Sequence, residues 1–177
     1  MKLTDIDEMV YIEGKALYNF CRHLTQDKEE AEELYQETFL KAVELCSKID
    51  VEKNPKSYLM SIAVKLWKNR KRKFAWRSRI AFIQSSKDES AREENLFGEV
   101  HSPEDELLKK EKQRIVSDAV KELKEAYRTP MYLYYAEEMP LREISLILHL
   151  PEGTVKSRLY KARKEIKKYL EVNGYGR

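Results

Sequence analysis

Apolar residues recur at intervals of three and four along most of this chain, and glycine and proline seldom interrupt them. That spacing lines one side of a 3.6-residue helix, whereas a half-buried strand needs alternation at two, which persists nowhere. The pattern predicts an all-α protein. Helices are expected over Thr4 to Leu24, Lys28 to Ile49, Pro55 to about Ile83, Pro103 to Glu125, Tyr127 to Ala136, Leu141 to Leu148 and Glu152 to Leu170. Between the third and fourth of these, Gln84 to Ser102 holds few large apolar residues and many charges, and it ends at Ser102-Pro103. Such a stretch reads as a flexible, acidic linker. Two small helical domains follow, over 1–83 and 106–172, joined by a tether over 84–105. At roughly twenty residues the tether spans on the order of 25 Å, so the two domains can touch separate sites at once.

Charge then separates the segments. The formal net charge of +3 is too small to name a partner, because 34 basic and 31 acidic residues nearly cancel. The distribution is more telling. Lys65 to Arg79 carries 8 basic residues and no acidic one, Pro151 to Leu170 carries 7 basic against 2 acidic, and Ser85 to Glu106 carries 8 acidic against only Lys87 and Arg92. With 42% hydrophobic residues the chain has material for a core, which speaks against disorder throughout. No apolar run is long enough to cross a bilayer or to serve as a signal peptide, so a cytoplasmic protein without membrane insertion is expected. Cys21, His23 and Cys46 lack the paired spacing of a zinc site, and both cysteines fall at apolar positions of helical patterns. Neither a metal nor a cofactor is implied.

The most specific stretch begins at Pro140. Pro140 suits the start of a helix whose Leu141, Ile144 and Leu148 form one stripe, and His149 to Pro151 has the length of a tight helix-helix turn. On the next helix Val155, Leu159, Ala162 and Ile166 recur at four, three and four, forming a core face. At about 100° per residue the opposite face carries Ser157, Tyr160, Lys161, Lys164 and Lys168, flanked near the helix start by Thr154 and Lys156. This is the layout of a helix-turn-helix, whose second helix reads base edges from its N-terminal residues and phosphates farther along. Thr154, Lys156, Ser157, Tyr160 and Lys161 are the expected base readers, with Lys164 beyond them. Arg158 and Arg163 lie nearer the buried face and either reach a phosphate along their stems or cover the core.

The string Glu152-Gly-Thr-Val-Lys-Ser-Arg-Leu-Tyr-Lys-Ala-Arg163 closely resembles the recognition helix of the extracytoplasmic-function (ECF) sigma factors, a group within the sigma-70 family. Ala126-Tyr-Arg128 and Tyr132-Leu-Tyr-Tyr-Ala-Glu-Glu138 resemble that family's lead-in, so the likeness covers the whole C-terminal module. It implies contact with the −35 promoter element through Thr154, Lys156, Ser157, Arg158, Tyr160, Lys161 and Lys164.

The N-terminal half offers two surfaces of opposite sign. In Glu30 to Ala42 the residues Ala31, Leu34, Thr38 and Ala42 share one face, while Glu33, Gln36 and Glu37 can point outward, a poor surface for DNA but a good one for a basic or polar protein. Ser57 to Lys73 begins apolar and ends basic, with Trp67, Phe74 and Trp76 interleaved, as suits a nucleic-acid backbone with bases stacked on aromatics. Trp67 and Trp76 fit either that use or core packing. These stretches resemble the family's polymerase-binding and promoter-melting segments, Gln36-Glu-Thr-Phe39 being the most specific part. The resemblance implies that Glu33, Gln36, Glu37 and Phe39 grip a coiled coil of the largest catalytic polymerase subunit, with Phe39 alternatively a core residue. It also implies that Lys65, Lys68, Asn69, Arg70, Arg72 and Lys73 hold the melted −10 strand, after a base-capturing loop at about Ile49 to Lys56. Glu33 stands where relatives often have Asp, and Tyr58 where they often have Trp, which keeps charge sign and aromatic character. Lys65 replaces an Asn, exchanging a base- or sugar-reading amide for a point charge and altering the expected −10 specificity.

The function so implied is direction of RNA polymerase core enzyme to promoters, under control of an anti-sigma factor. The chain itself is expected to be no enzyme, since it has no Gly-rich phosphate loop and His23, His101 and His149 lie far apart. The competing class is a stand-alone helix-turn-helix regulator that dimerises through its N-terminal helices and binds a symmetric duplex by itself.

Overall fold

A computed structural model describes residues 3–45, 54–82 and 105–175, and every regular element among them is an α-helix. The chain divides into two compact units, Met1–Glu94 and Asn95–Arg177. The division falls inside the expected linker, nearly all of which lies outside the described residues.

The first unit is built from α1 (Leu3–Thr25), α2 (Lys28–Leu45) and α3 (Pro55–Phe82), each packed on the other two. Leu17, Phe20, Cys21 and Leu24 of α1 meet Ala31, Leu34 and Ala42 of α2 and Leu59, Met60 and Ala63 of α3 in a closed apolar core. Short polar side chains set the helix starts. Asp27 accepts the Glu30 amide on Oδ1 at 2.9 Å, and Asn54 accepts the Ser57 amide at 3.1 Å, with Pro55 in the first helical position. Gly14 is buried where a Cβ would lie 2.9 Å from the Tyr35 hydroxyl, so a side chain there would push the tip of the Tyr35 ring aside. The expected end of α2 at Ile49 lies outside the described residues.

The second unit holds α4 (Asp105–Lys121), α5 (Glu125–Tyr135), α6 (Leu141–Leu148) and α7 (Glu152–Val172). Its core joins Ala119, Leu123, Leu133, Ile144, Ile147, Val155, Leu159 and Ala162. The break between α4 and α5 comes at Glu122 to Lys124, earlier than the apolar spacing predicts. Arg128 accounts for it. Its buried guanidinium turns back and donates from Nη1 to the carbonyls of Leu123 at 3.1 Å and Lys121 at 3.4 Å, satisfying the end of α4. Burial lowers the Arg128 pKa, opposed by the Glu125 carboxylate.

The turn between α6 and α7 closes as a Schellman motif: the Leu150 amide donates to Ser145 at 3.0 Å, the His149 amide to Leu146 at 3.3 Å, and His149 takes the left-handed conformation at φ 55°. Pro151 then starts α7.

Candidate nucleic-acid and polymerase interfaces

Packing fixes which side of α7 is available. Val155, Leu159 and Ala162 are essentially inaccessible, and Lys156, Ser157, Tyr160, Lys161 and Lys164 are all exposed. Tyr160 is 67% accessible, so an aromatic ring stands in solvent within a row of ammonium groups. Ser157 donates its hydroxyl proton to the Thr154 carbonyl at 2.9 Å, which leaves its oxygen lone pairs outward as acceptors. Thr154 itself is half-buried. Gly153 is exposed, and a Cβ there would meet nothing within 4 Å, so no contact among the described residues requires a glycine at this point of a helix.

Arg158 behaves differently from its neighbours. It is half-buried, and its Nη1 lies 3.5 Å from the carbonyl of Ala126 on α5.

On α3 the expected residues divide. Lys65, Lys68, Arg72 and Lys73 are exposed and Asn69 is half-buried, its Oδ1 accepting from Arg72 at 3.4 Å. Arg70 is drawn sideways into a fork on α2, Nη1 to Glu33 at 3.2 Å and Nη2 to Glu37 at 2.9 Å. One guanidinium thus joins the expected polymerase surface to the expected DNA surface. Beyond it, every residue from Lys71 to Ile80 is exposed. Phe74 and Trp76, at 73% and 66%, are not core residues, whereas Trp67 is half-buried with the Lys71 ammonium 5.8 Å from its ring centroid. Of the expected base-capturing loop, Ile49 to Lys53 lies outside the described residues, Asn54 precedes α3 and Pro55 and Lys56 begin it.

On α2, Glu33 and Gln36 are exposed and Glu37 and Phe39 half-buried. Phe39 packs edge-on against Tyr35 at 5.1 Å, and Tyr35 in turn against Tyr18 at 5.8 Å, so Phe39 is supported from below while part of its ring remains outside. Leu40 and Val43 continue this surface with 67% and 40% accessibility. Sequence reasoning missed them, although both fall off the Ala31, Leu34, Thr38, Ala42 face and so had to be exposed. Cys21 is buried, which pushes its thiol up to about 12 despite the nearby Arg70 charge, and it packs as a small apolar residue. Cys46 lies outside the described residues. Among the described residues no helix is long and apolar enough to cross a membrane.

An all-helical bundle with an acid-and-base surface, followed by a helix-turn-helix with a one-sided cationic face, has the make-up of a two-module DNA-binding initiation factor. Models of sigma-70 region 2 and sigma-70 region 4 match residues 12–77 and 113–166. ECF RNA polymerase sigma factor SigM of Bacillus subtilis is 30% identical over 167 residues, covering 92% of this chain and 93% of its own length. SigW of the same organism is 27% identical over 167 residues, covering 92% and 87%. Among solved structures, the sigma factor RpoE from Bartonella quintana, in complex with the anti-sigma factor NepR, matches the fold with a TM-score of 0.72 at 22% identity, covering 96% of this chain and 99% of that one. The chain belongs to the ECF sigma factors of the sigma-70 family. As a sigma factor it acts in transcription initiation with RNA polymerase core and promoter DNA; sigma factors are initiation factors rather than enzymes.

Proposed function

We propose that the first unit docks on core polymerase and holds the melted −10 strand while the second anchors the −35 duplex. The observation that carries this reading is the cationic face of α7, with Lys156, Ser157, Tyr160, Lys161 and Lys164 exposed opposite three buried core residues. A helix fits the major groove only with such a face, and the first turns supply base contacts while lysines farther along meet phosphates. Gly153 then has a purpose that no internal contact gives it: the DNA backbone approaches the N-terminus of α7, where a side chain would stand in the way.

In the first unit, Glu33, Gln36, Glu37 and Phe39, extended by Leu40 and Val43, form the surface for a coiled coil of the largest polymerase subunit, polar toward the start of α2 and apolar farther along it. The basic stretch of α3 takes the −10 strand: Lys65, Lys68, Asn69, Arg72 and Lys73 follow the backbone, and the exposed Phe74 and Trp76 offer faces for unstacked bases. Extruding a base costs a few kcal/mol, and stacking on an aromatic returns about 1–3 kcal/mol, so such contacts are of the right size to offset melting. Lys65 supplies an exposed point charge rather than an amide, which favours backbone attraction over discrimination among bases. Catalysis stays with polymerase, the protein acts in the cytoplasm, and an anti-sigma factor covers one or both units to silence it.

The test is promoter binding with and without core polymerase. Tight, −35-dependent binding only in the presence of core supports the reading. Binding of a symmetric duplex by the chain alone, as a dimer, overturns it in favour of a stand-alone regulator.

A further inference from the structure

The geometry points to Arg158 as a positioning residue that sets the angle of the recognition helix through the backbone of α5, and not as a phosphate contact. This inference rests on the proposed −35 role of α7. Pro130 lies inside α5 and is fully buried. Having no N–H, it leaves the carbonyl four residues earlier, that of Ala126, without its helical donor. The Arg158 guanidinium comes to that place, Nη1 at 3.5 Å from the Ala126 oxygen, from a helix 32 positions farther along the chain. Arg128 serves the same junction from the other side by donating to the carbonyls of Lys121 and Leu123. Two arginines thus replace backbone donors lost around the start of α5, and one of them sits on the recognition helix.

Its place there matters. Arg158 follows Ser157 directly and stands one turn from Lys161, between the buried Val155 and Leu159. A link from this point to α5 resists rotation of α7 about its own axis. At about 6 Å from that axis, a rotation of roughly 20° moves a base-reading atom by about 2 Å, more than a hydrogen bond tolerates. A cation among exposed lysines therefore contributes to DNA reading by holding the exposed face in register.

Four full-length proteins test this: wild type, Arg158→Ala, Pro130→Ala and the double variant, each followed by thermal unfolding of the second unit and, assembled with core polymerase, by promoter affinity across a salt series. Arg158→Ala is expected to weaken promoter binding about fivefold. The slope of affinity against salt stays that of the wild type, whereas loss of a phosphate contact would lower it by about 0.9. Pro130→Ala restores the N–H that occupies the Ala126 carbonyl, so in that background Arg158→Ala changes neither the melting temperature nor the affinity. A slope lowered by about 0.9, or an Arg158→Ala effect on melting of the same size whether Pro130 is present or replaced, overturns the inference. The slope decides even if Pro130→Ala fails to fold. The unfolding cycle requires no DNA, so it still decides if wild-type promoter binding proves indifferent to the −35 element, an outcome that would sink the proposed function instead.

Discussion

The two basic helices, α3 and α7, carry similar charge but present it in different ways. On α7 the division is lateral: Val155, Leu159 and Ala162 are buried along one side, and the cationic residues occupy the other. On α3 it is longitudinal: Leu59 to Val64 lie mostly in the core, and from Lys71 to Ile80 the helix is exposed all round. A helix held along one side through its first turns, as α7 is by Val155, Leu159 and Ala162, holds a rigid face there, as reading duplex base edges requires. A helix held at one end offers its whole circumference, which suits a flexible strand that can wrap and stack. Arg70 marks the transition on α3, bound sideways to Glu33 and Glu37 before the exposed half begins.

The contrast is broken most severely by removing two lysines from the rigid face. Lys156→Ala with Lys161→Ala should reduce −35-dependent promoter binding by tenfold or more, and the loss should depend on the −35 sequence. Both residues are exposed, so unfolding free energy should move by no more than about 0.5 kcal/mol. Next in size, Trp76→Ala should weaken binding of a single-stranded −10 oligonucleotide to the polymerase complex by about 1–3 kcal/mol and leave duplex −35 binding unchanged. Equal losses on both DNAs would mean that α3 has no separate single-strand role.

Smaller effects sharpen the comparison. Gly153→Ala should raise the melting temperature slightly, because alanine is favoured over glycine in a helix by up to about 1 kcal/mol and nothing obstructs the methyl group. The same variant should bind promoter DNA several-fold more weakly, a stability gain opposed to a functional loss. Glu37→Gln should destabilise the first unit only slightly, by at most about 1 kcal/mol in low salt and less in high salt, because the Arg70 fork is partly exposed. Chemical denaturation at two ionic strengths measures it.

How much of this was legible in the sequence follows the same contrast. The lateral helix was readable because periodicity reports faces: the bounds of α6 and the core side of α7 emerge from Pro140, the spacing of the apolar residues and the break at His149 to Pro151. The longitudinal one was less so. No wheel argument tells that Trp76 stands in solvent while Trp67 is half covered, because that depends on where α1 and α2 end beside α3. Arg128 and Arg158 were harder still. Each reads as one more cation, and its use appears only when a carbonyl left without a partner by a helix end or a proline lies within reach. The Arg70 fork likewise joins residues more than thirty positions apart, a pairing no local pattern announces.

The central claim, that separate units serve polymerase and duplex DNA, is tested most directly by promoter-dependent run-off transcription with added core polymerase. Wild type would be compared with Gln36→Ala/Phe39→Ala and with Lys156→Ala/Lys161→Ala, on promoters with and without a −35 element. The first pair should lower initiation on both promoters and be compensated by excess protein, because it weakens core binding. The second pair should lower initiation only where the −35 element is present. Initiation unaffected by either pair, or loss of the −35 effect through the first pair instead of the second, would contradict it.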